Sequence, residues 1–544
     1  MTWWNELWLN ESFATLIGWL AIDHFHPTFE VWSQFVVEAV QTSQNLDSLR
    51  SSHPIEVPVR DALEVEQIFD AISYLKGSSV LRMLSNHLGM QTFLNGVAAY
   101  LKRHAYGNAT GNDLWSALSE ASGKNVTEFM DPWIRKIGFP VLTVAEEPGQ
   151  IGIRQSRFLQ SGDVGSEEDE TLWWVPLGLI SNTESTGADS TALTIKEETL
   201  RNIDETFYKF NSNQNGFYRT NYPPGRLTKL GADRARLSAE DKVGLVADAA
   251  AMAIAGQGTT AGLLALVEQF KDESNKSVWA QIITSISHIR SVFADSKTTS
   301  DGLKYFTQRL VASATEDIRW DFTPQESFLS GQLRALLINS AGSAGHEKTT
   351  IEALRRFDAY MQGDQQAIHP SLRLAIFSIA IRERGQSAYK AVLDEYKNTT
   401  SIDGKETCLM ALGKVQTLDL AEDFLNFQFS SAVAAQDLHT GSISLANNPQ
   451  VRTALWNYIK QNWDTVYKKL SVNPVVMDRY LKTTLSKFAS HEVERDIDTF
   501  FKDKDTKGYD RGLVQVADTI KANAIYRERD EDIVVEWLKA HGYS

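Results

Sequence analysis

Trp3-Trp4-Asn5-Glu6-Leu7-Trp8-Leu9-Asn10-Glu11-Ser12-Phe13-Ala14 opens this 544-residue chain directly after Met1-Thr2. Followed to residue 20, the stretch places Leu9, Phe13, Leu16 and Leu20 on one helical face. Trp4, Leu7, Ala14 and Gly18 fall on the other face, with Glu11 among them. A helix that is apolar on both faces belongs in a protein interior. Glu11 is then expected to be a buried carboxylate, which is costly unless it is paired or bound to a metal.

Outward from that helix the periodicity stays helical at 28–45, 64–86, 90–104 and 112–122, with Gly123 and Gly138 as stops. The pattern changes after Gly138-Phe139-Pro140. Val141–Val144, Ile151–Ile153 and Trp173–Leu177 are short runs rich in strand formers. Asn215-Gly216, between Tyr208-Lys209-Phe210 and Phe217-Tyr218-Arg219, reads as a hairpin turn. Ser166–Glu170, four of whose five residues are acidic, reads as a solvated loop. Residues 140–222 are therefore expected to form a small β-sandwich, closed by Pro223-Pro224-Gly225. From Ser238, which with Asp241 forms an acidic variant of the capping box, the chain reads as amphipathic helices to its end. Stacked helix pairs in an irregular solenoid are the economical arrangement.

Composition narrows the function. A net charge of −15 argues against nucleic acid as a partner, because phosphate neutralisation needs clustered Lys and Arg. No run approaches ~18 consecutive apolar residues, so no membrane-spanning helix is expected. Cys408, the one cysteine, excludes an internal disulfide and a C-x-x-C metal site. With no signal-peptide pattern in view, the expected compartment is the cytoplasm.

The opening stretch resembles the segment that follows the zinc motif in the gluzincin aminopeptidases, the aminopeptidase N and puromycin-sensitive aminopeptidase family. In that family H-E-x-x-H is followed, after eighteen residues, by a Glu within W-L-N-E-G-F-A. Glu11 matches this third zinc ligand, with Ser12 in place of the usual Gly. Phe69-Asp70-Ala71-Ile72-Ser73-Tyr74-Leu75-Lys76-Gly77 resembles the family's F-D-x-I-S-Y-x-K-G, whose Tyr points its hydroxyl at the tetrahedral intermediate. A neutral phenol suits that task, since an oxyanion needs a fixed donor and not a titrating group. Trp133–Leu142 and Asn215–Tyr222 resemble the start and end of the family's β domain. The resemblance implies a mainly α protein with a small β-sandwich. Residues 1–138 would be the C-terminal part of a thermolysin-like catalytic domain, 139–222 the β-sandwich, and 223–544 a HEAT/armadillo-like α-solenoid.

It also implies a metalloprotease that removes N-terminal residues from peptides, with zinc as cofactor, Glu11 as metal ligand and Tyr74 as catalytic donor. Ten residues precede Glu11, too few to hold H-E-x-x-H at the family's spacing, and the amine-gripping G-A-M-E-N does not occur. The chain therefore reads as N-terminally truncated. It is expected to hold no stoichiometric zinc and to be inactive alone. The alternative is a non-catalytic scaffold that binds peptides or a partner, which could be a separate N-terminal fragment. Three weaker patterns are set aside. Asp23-His24-Phe25-His26 stands at a helix end before Pro27. Gly345-His346-Glu347 has Thr350 where a second His is needed. Asp503-x-Asp505-x-Lys507-Gly508 lacks oxygen ligands for calcium at Lys507 and Val514.

Overall fold

The computed structural model describes residues 2–61, 65, 67–182, 192–316 and 318–543. Packing divides the chain into two compact units, 1–269 and 270–544. The protein is mainly α-helical with small sheets. Among the described residues no helix is long and apolar enough to cross a membrane.

The first unit starts with the helix Leu7–Phe25. The next helical stretch runs from Val31 to Asp47 and is interrupted by a π-helix over Val36–Gln41. The π-helix Ile72–Lys76 leads into the helix Gly77–Leu88, and the helices Met90–Arg103, Gly111–Ser122 and Val126–Arg135 follow before the sheet region. Thr110 and Asp113 form a capping box at Gly111–Ser122, and Gly123 ends that helix at φ 69°. Of the helix expected over 64–86, Val65 and Gln67 are helical, residues 68–70 form a turn, and the helical path resumes by Ile72, where Asp70 accepts from the first N–H groups. Residues 62–64 and 66 lie outside the described residues.

The sheet region has β1 (Pro140–Glu147), β2 (Gln150–Arg157), β3 (Val175–Pro176), β4 (Ile180–Ser181), β5 (Ala192–Leu193), β6 (Glu197–Arg201), β7 (Tyr208–Lys209) and β8 (Arg219–Asn221). One four-stranded sheet has the order β6-β2-β1-β8, and β3–β5 and β4–β7 form two short pairs. The expected Asn215-Gly216 hairpin is not formed. Tyr208-Lys209 pairs with β4, and β8 runs parallel to β1. The reason is local. The Asn211 side chain donates to the carbonyls of Gly216 and Tyr218 and accepts from the Gly216 N–H at 2.8 Å, folding 211–218 into a side-chain-tied loop. The acidic stretch also does more than face water. Glu168 pairs with Arg50 at 2.8 Å, and Asp169 pairs with Lys196 at 2.7 Å.

Trp8, Leu16, Phe35, Leu84 and Trp133 of the helices share one core with Val141, Leu142, Trp173 and Phe217 of the sheet region. Trp8 stacks on Trp115 with centroids 5.6 Å apart, and Trp133 Nε1 donates to the Trp174 carbonyl at 3.0 Å. Ser238 and Asp241 form the expected capping box of the helix Ala239–Ala255.

In the second unit, six helices pack side by side in one row: Lys276–Val292, Phe328–Ser343, Arg373–Arg384, Ile402–Leu412, Leu438–Ala446 and Pro474–Leu485. The long helix Asp510–Ala540 follows Pro474–Leu485 and also packs on Lys276–Val292, closing the row on itself. Most of the other helices form a second layer. Sequence accounts for the layering. Every residue from Ala375 to Ile381 is buried, as an inner helix requires, whereas His491–Phe501 buries only Ile497 and Phe501. At Gly342 the row is so tight that a Cβ would lie 2.3 Å from Ile379.

Candidate active site

The segment 70–77 is held from several directions. Asp70 Oδ1 accepts from the N–H groups of Ile72 at 2.9 Å and Ser73 at 3.2 Å, filling donors that a helix start leaves open. His53 Nε2 lies 2.9 Å from Asp70 Oδ2, and its Nδ1 lies 2.8 Å from the Pro54 carbonyl. Lys76, fully buried, meets the fully buried Asp47 at 2.8 Å and donates to the Gly138 carbonyl at 3.0 Å. Between these anchors the chain winds as a π-helix, a local widening of the helical repeat. Ile72, Ser73 and Lys76 point inward, and Tyr74 remains half-buried.

The first helix is locked to this turn through Ser12, whose Oγ donates to the Ser73 carbonyl at 2.7 Å. The contact requires a glycine opposite, because a Cβ at Gly77 would lie 1.9 Å from Ser12 Oγ. Gly77→Ala is expected to destabilise the first unit by about 1–3 kcal/mol. Adding Ser12→Gly should recover most of that loss in urea unfolding. A fully stable Gly77→Ala protein would contradict this packing.

On this frame Glu11 and Tyr74, far apart in sequence, come close together. The Tyr74 phenol lies near enough to the Glu11 carboxylate to feel its charge. Burial foremost, then the neighbouring Glu11 carboxylate, push the phenol up to about 12. Phe69 flanks Tyr74 with ring centroids 6.4 Å apart, and Trp4 follows at 6.3 Å from Phe69.

Glu11 is not buried, contrary to the expectation from helical periodicity. It is partly exposed, and beyond it the same face opens to water at Ala14 and Gly18, with Ile17, Ile22 and Phe25 also exposed. The other stripe, through Leu9 and Leu16, faces the core.

The parts played by Asp47, His53 and Ser12 had no local signal in sequence, since each depends on a partner brought in by folding. The weaker patterns take ordinary places. Asp23 accepts from Trp32 Nε1 at 3.0 Å, and His26 stacks on Phe29. His346 precedes the helix Glu347–Met361, and Asp505 accepts from the Lys507 N–H at 3.1 Å. Among the described residues no group of three or more His, Cys, Asp or Glu side chains is placed to hold a metal ion. A catalytic zinc takes three protein ligands. Glu11 offers one, so these residues by themselves do not make up the site.

Residues 207–522, more than half of the chain, match the ERAP1-like C-terminal domain, and residues 1–133 match the peptidase family M1 domain. The chain belongs to the family of M1 peptidases that carry an ERAP1-like C-terminal domain. It is 39% identical over 545 residues to "Aminopeptidase 2, mitochondrial" of Saccharomyces cerevisiae, covering 100% of this chain and 57% of that protein. It is also 39% identical to the alanine/arginine aminopeptidase of the same yeast, covering 100% of this chain and 63% of the relative. Aminopeptidase M1 of Arabidopsis thaliana is 32% identical over 551 residues, with 97% of this chain and 62% of the relative covered. The chain thus spans about three fifths of the length of these relatives.

Proposed function

We propose that this chain forms part of a zinc aminopeptidase acting on peptides. Glu11 would be one metal ligand, and Tyr74 the donor to the oxyanion of the tetrahedral intermediate. The observation that carries the reading is the approach of Glu11 to Tyr74, a carboxylate and a phenol that share one partly exposed point of the first unit. Zinc completed there by two further ligands would polarise the scissile carbonyl. The part played by this chain's own residues is narrower. The phenol, kept protonated by burial and by the neighbouring Glu11 charge, offers its hydrogen where negative charge develops. The proposed division is a catalytic segment to residue 138, a β-sandwich at 139–222 and a helical solenoid from 223, in a protein of the cytoplasm.

The 544 residues by themselves would neither retain zinc nor turn over substrate, because structural zinc sites reach roughly 10–16 kcal/mol only with their ligands acting together. The test has two arms. Metal analysis and an aminoacyl reporter assay on the 544-residue chain should show neither stoichiometric zinc nor turnover. In a protein extended at its N-terminus to the length of the relatives, zinc should be stoichiometric and Glu11→Gln should lose most of it. Full zinc retention by that variant would remove Glu11 from the ligand set.

A further inference from the structure

The second unit gathers positive charge at one rim. The inner helices Lys276–Val292, Phe328–Ser343, Arg373–Arg384, Ile402–Leu412, Leu438–Ala446 and Pro474–Leu485 are linked at their C-terminal ends. Arg382, in the last turn of its helix, donates to the Gly342 carbonyl at 2.8 Å. Asn448 donates to the carbonyls of Gly413 at 3.2 Å and Val415 at 2.6 Å. Arg452 donates to the Ala446 carbonyl at 2.8 Å and to Ser291 Oγ at 2.7 Å. Six basic side chains stand on this rim: His288 and Arg290 at the end of the first of these helices, Arg382, Lys414 just past Leu412, Arg452, and Lys487 just past Leu485.

The group is short of acid. Arg290 feels Arg382, Lys414 feels Arg382, and Lys487 feels Arg452, each a repulsion. Asp295, the acid nearest Arg452, is already paired with Arg527 at 3.0 Å, and Glu383 beside Arg382 is exposed. Among the described residues the side chains of Arg290, Lys414 and Lys487 have no hydrogen-bond or ion-pair partner. His288 Nε2 is buried with none.

One bland account is that the cations only neutralise helix ends. Six helix C-termini at roughly half a negative charge each offset about three positive charges. Burial pushes His288 down to about 4, so it is neutral at pH 7, and five cations remain. A surplus of about two is left unanswered, in a chain whose net charge is −15. Arg290, Arg382, Lys414 and Lys487 each keep a face open to water. Yet desolvation by surrounding protein is the foremost influence on each. Burial and Arg382 bring the Lys414 amine down to about 8.

We propose that Arg290, Arg382 and Lys414, supported by Arg452 and Lys487, form an oxyanion-binding site on the second unit, suited to a compact anion of the phosphate class. The two guanidinium groups supply planar forks for two oxygens, and the ammonium supplies a point charge. A bound anion would relieve the repulsion and restore the proton affinity of Lys414.

The experiment uses the 544-residue chain with sodium phosphate as probe and sodium chloride at equal ionic strength as control. Calorimetric titration should show saturable binding of one phosphate and none of chloride. Lys414→Met, which keeps the length of the stem, should weaken binding roughly tenfold or more. A second readout needs no substitution. Acetylation of Lys414 at pH 8, followed by mass spectrometry, should slow severalfold at saturating phosphate, while the exposed Lys397 is unchanged. A phosphate response equal to that of chloride would overturn the proposal. So would wild-type affinity in Lys414→Met, or a Lys414 acetylation rate indifferent to phosphate.

Discussion

Lys76→Met is expected to destabilise the first unit by about 3–5 kcal/mol, the usual effect of removing one partner of a buried ion pair. Lys76 and Asp47 are both wholly inaccessible, 2.8 Å apart. Asp47 Oδ1 also accepts from Ser52 Oγ at 2.7 Å and from the Gly138 N–H at 3.2 Å. The pair thus ties three places together: the end of the helical stretch at Asp47, the π-turn that carries Tyr74, and the Gly138 turn that opens β1. Methionine fills the space of the lysine stem but leaves the carboxylate charged, buried and without its cation. Because the chain has two units, a single unfolding midpoint is a poor measure. Hydrogen exchange at amides of the helix Gly77–Leu88 and of β1 is the direct reporter. Asp47→Leu with Lys76→Met should recover much of the loss, since an apolar pair of similar volume avoids the desolvation of both charges. A loss below about 1 kcal/mol in the single variant would mean that the pair is not closed in solution.

Tyr74→Phe, made in the N-terminally extended protein, is expected to lower kcat by about 10²–10³-fold and leave KM nearly unchanged, as for loss of one oxyanion donor. The substitution removes a hydroxyl and keeps the ring against Phe69, so its cost in stability should be only about 0.5–1.5 kcal/mol. The split between rate and stability is diagnostic, because a merely structural tyrosine would give the reverse. The pH profile adds a constraint. The phenol is pushed up to about 12, so it remains a neutral donor through neutral and mildly alkaline pH. No limb of the wild-type profile there should belong to it. A kcat within about threefold of wild type would remove Tyr74 from the proposed mechanism.

Much of the candidate site was legible before folding because its residues lie in two short patterned stretches. Asp70, Tyr74, Lys76 and Gly77 stand in one eight-residue run, and each now has a distinct physical task. Exposure was misjudged at Glu11. Periodicity gives the two apolar faces of a helix but not which of them finds a covering partner. The Asn215-Gly216 hairpin failed for a related reason. Turn propensity is local, whereas Asn211 was available to tie the loop and β1 to take β8 in parallel. The helical part escaped a clean repeat partly because an inner helix such as Arg373–Arg384, buried at every position from Ala375 to Ile381, loses the amphipathic period.

Sequence alone determined the order of helical and strand-rich regions, the capped helix start at Ser238, and the two residues, Glu11 and Tyr74, on which the chemistry is placed. These follow from local propensity, capping and short patterns, which act within a few residues. The tertiary structure decided the rest. It brought Glu11 to Tyr74 and buried Lys76 against Asp47. It made Gly77 the seat for Ser12, and collected six basic side chains from distant helices on one rim. Each of these depends on groups far apart in the chain, and only the packing of helices and sheet sets the distances between them.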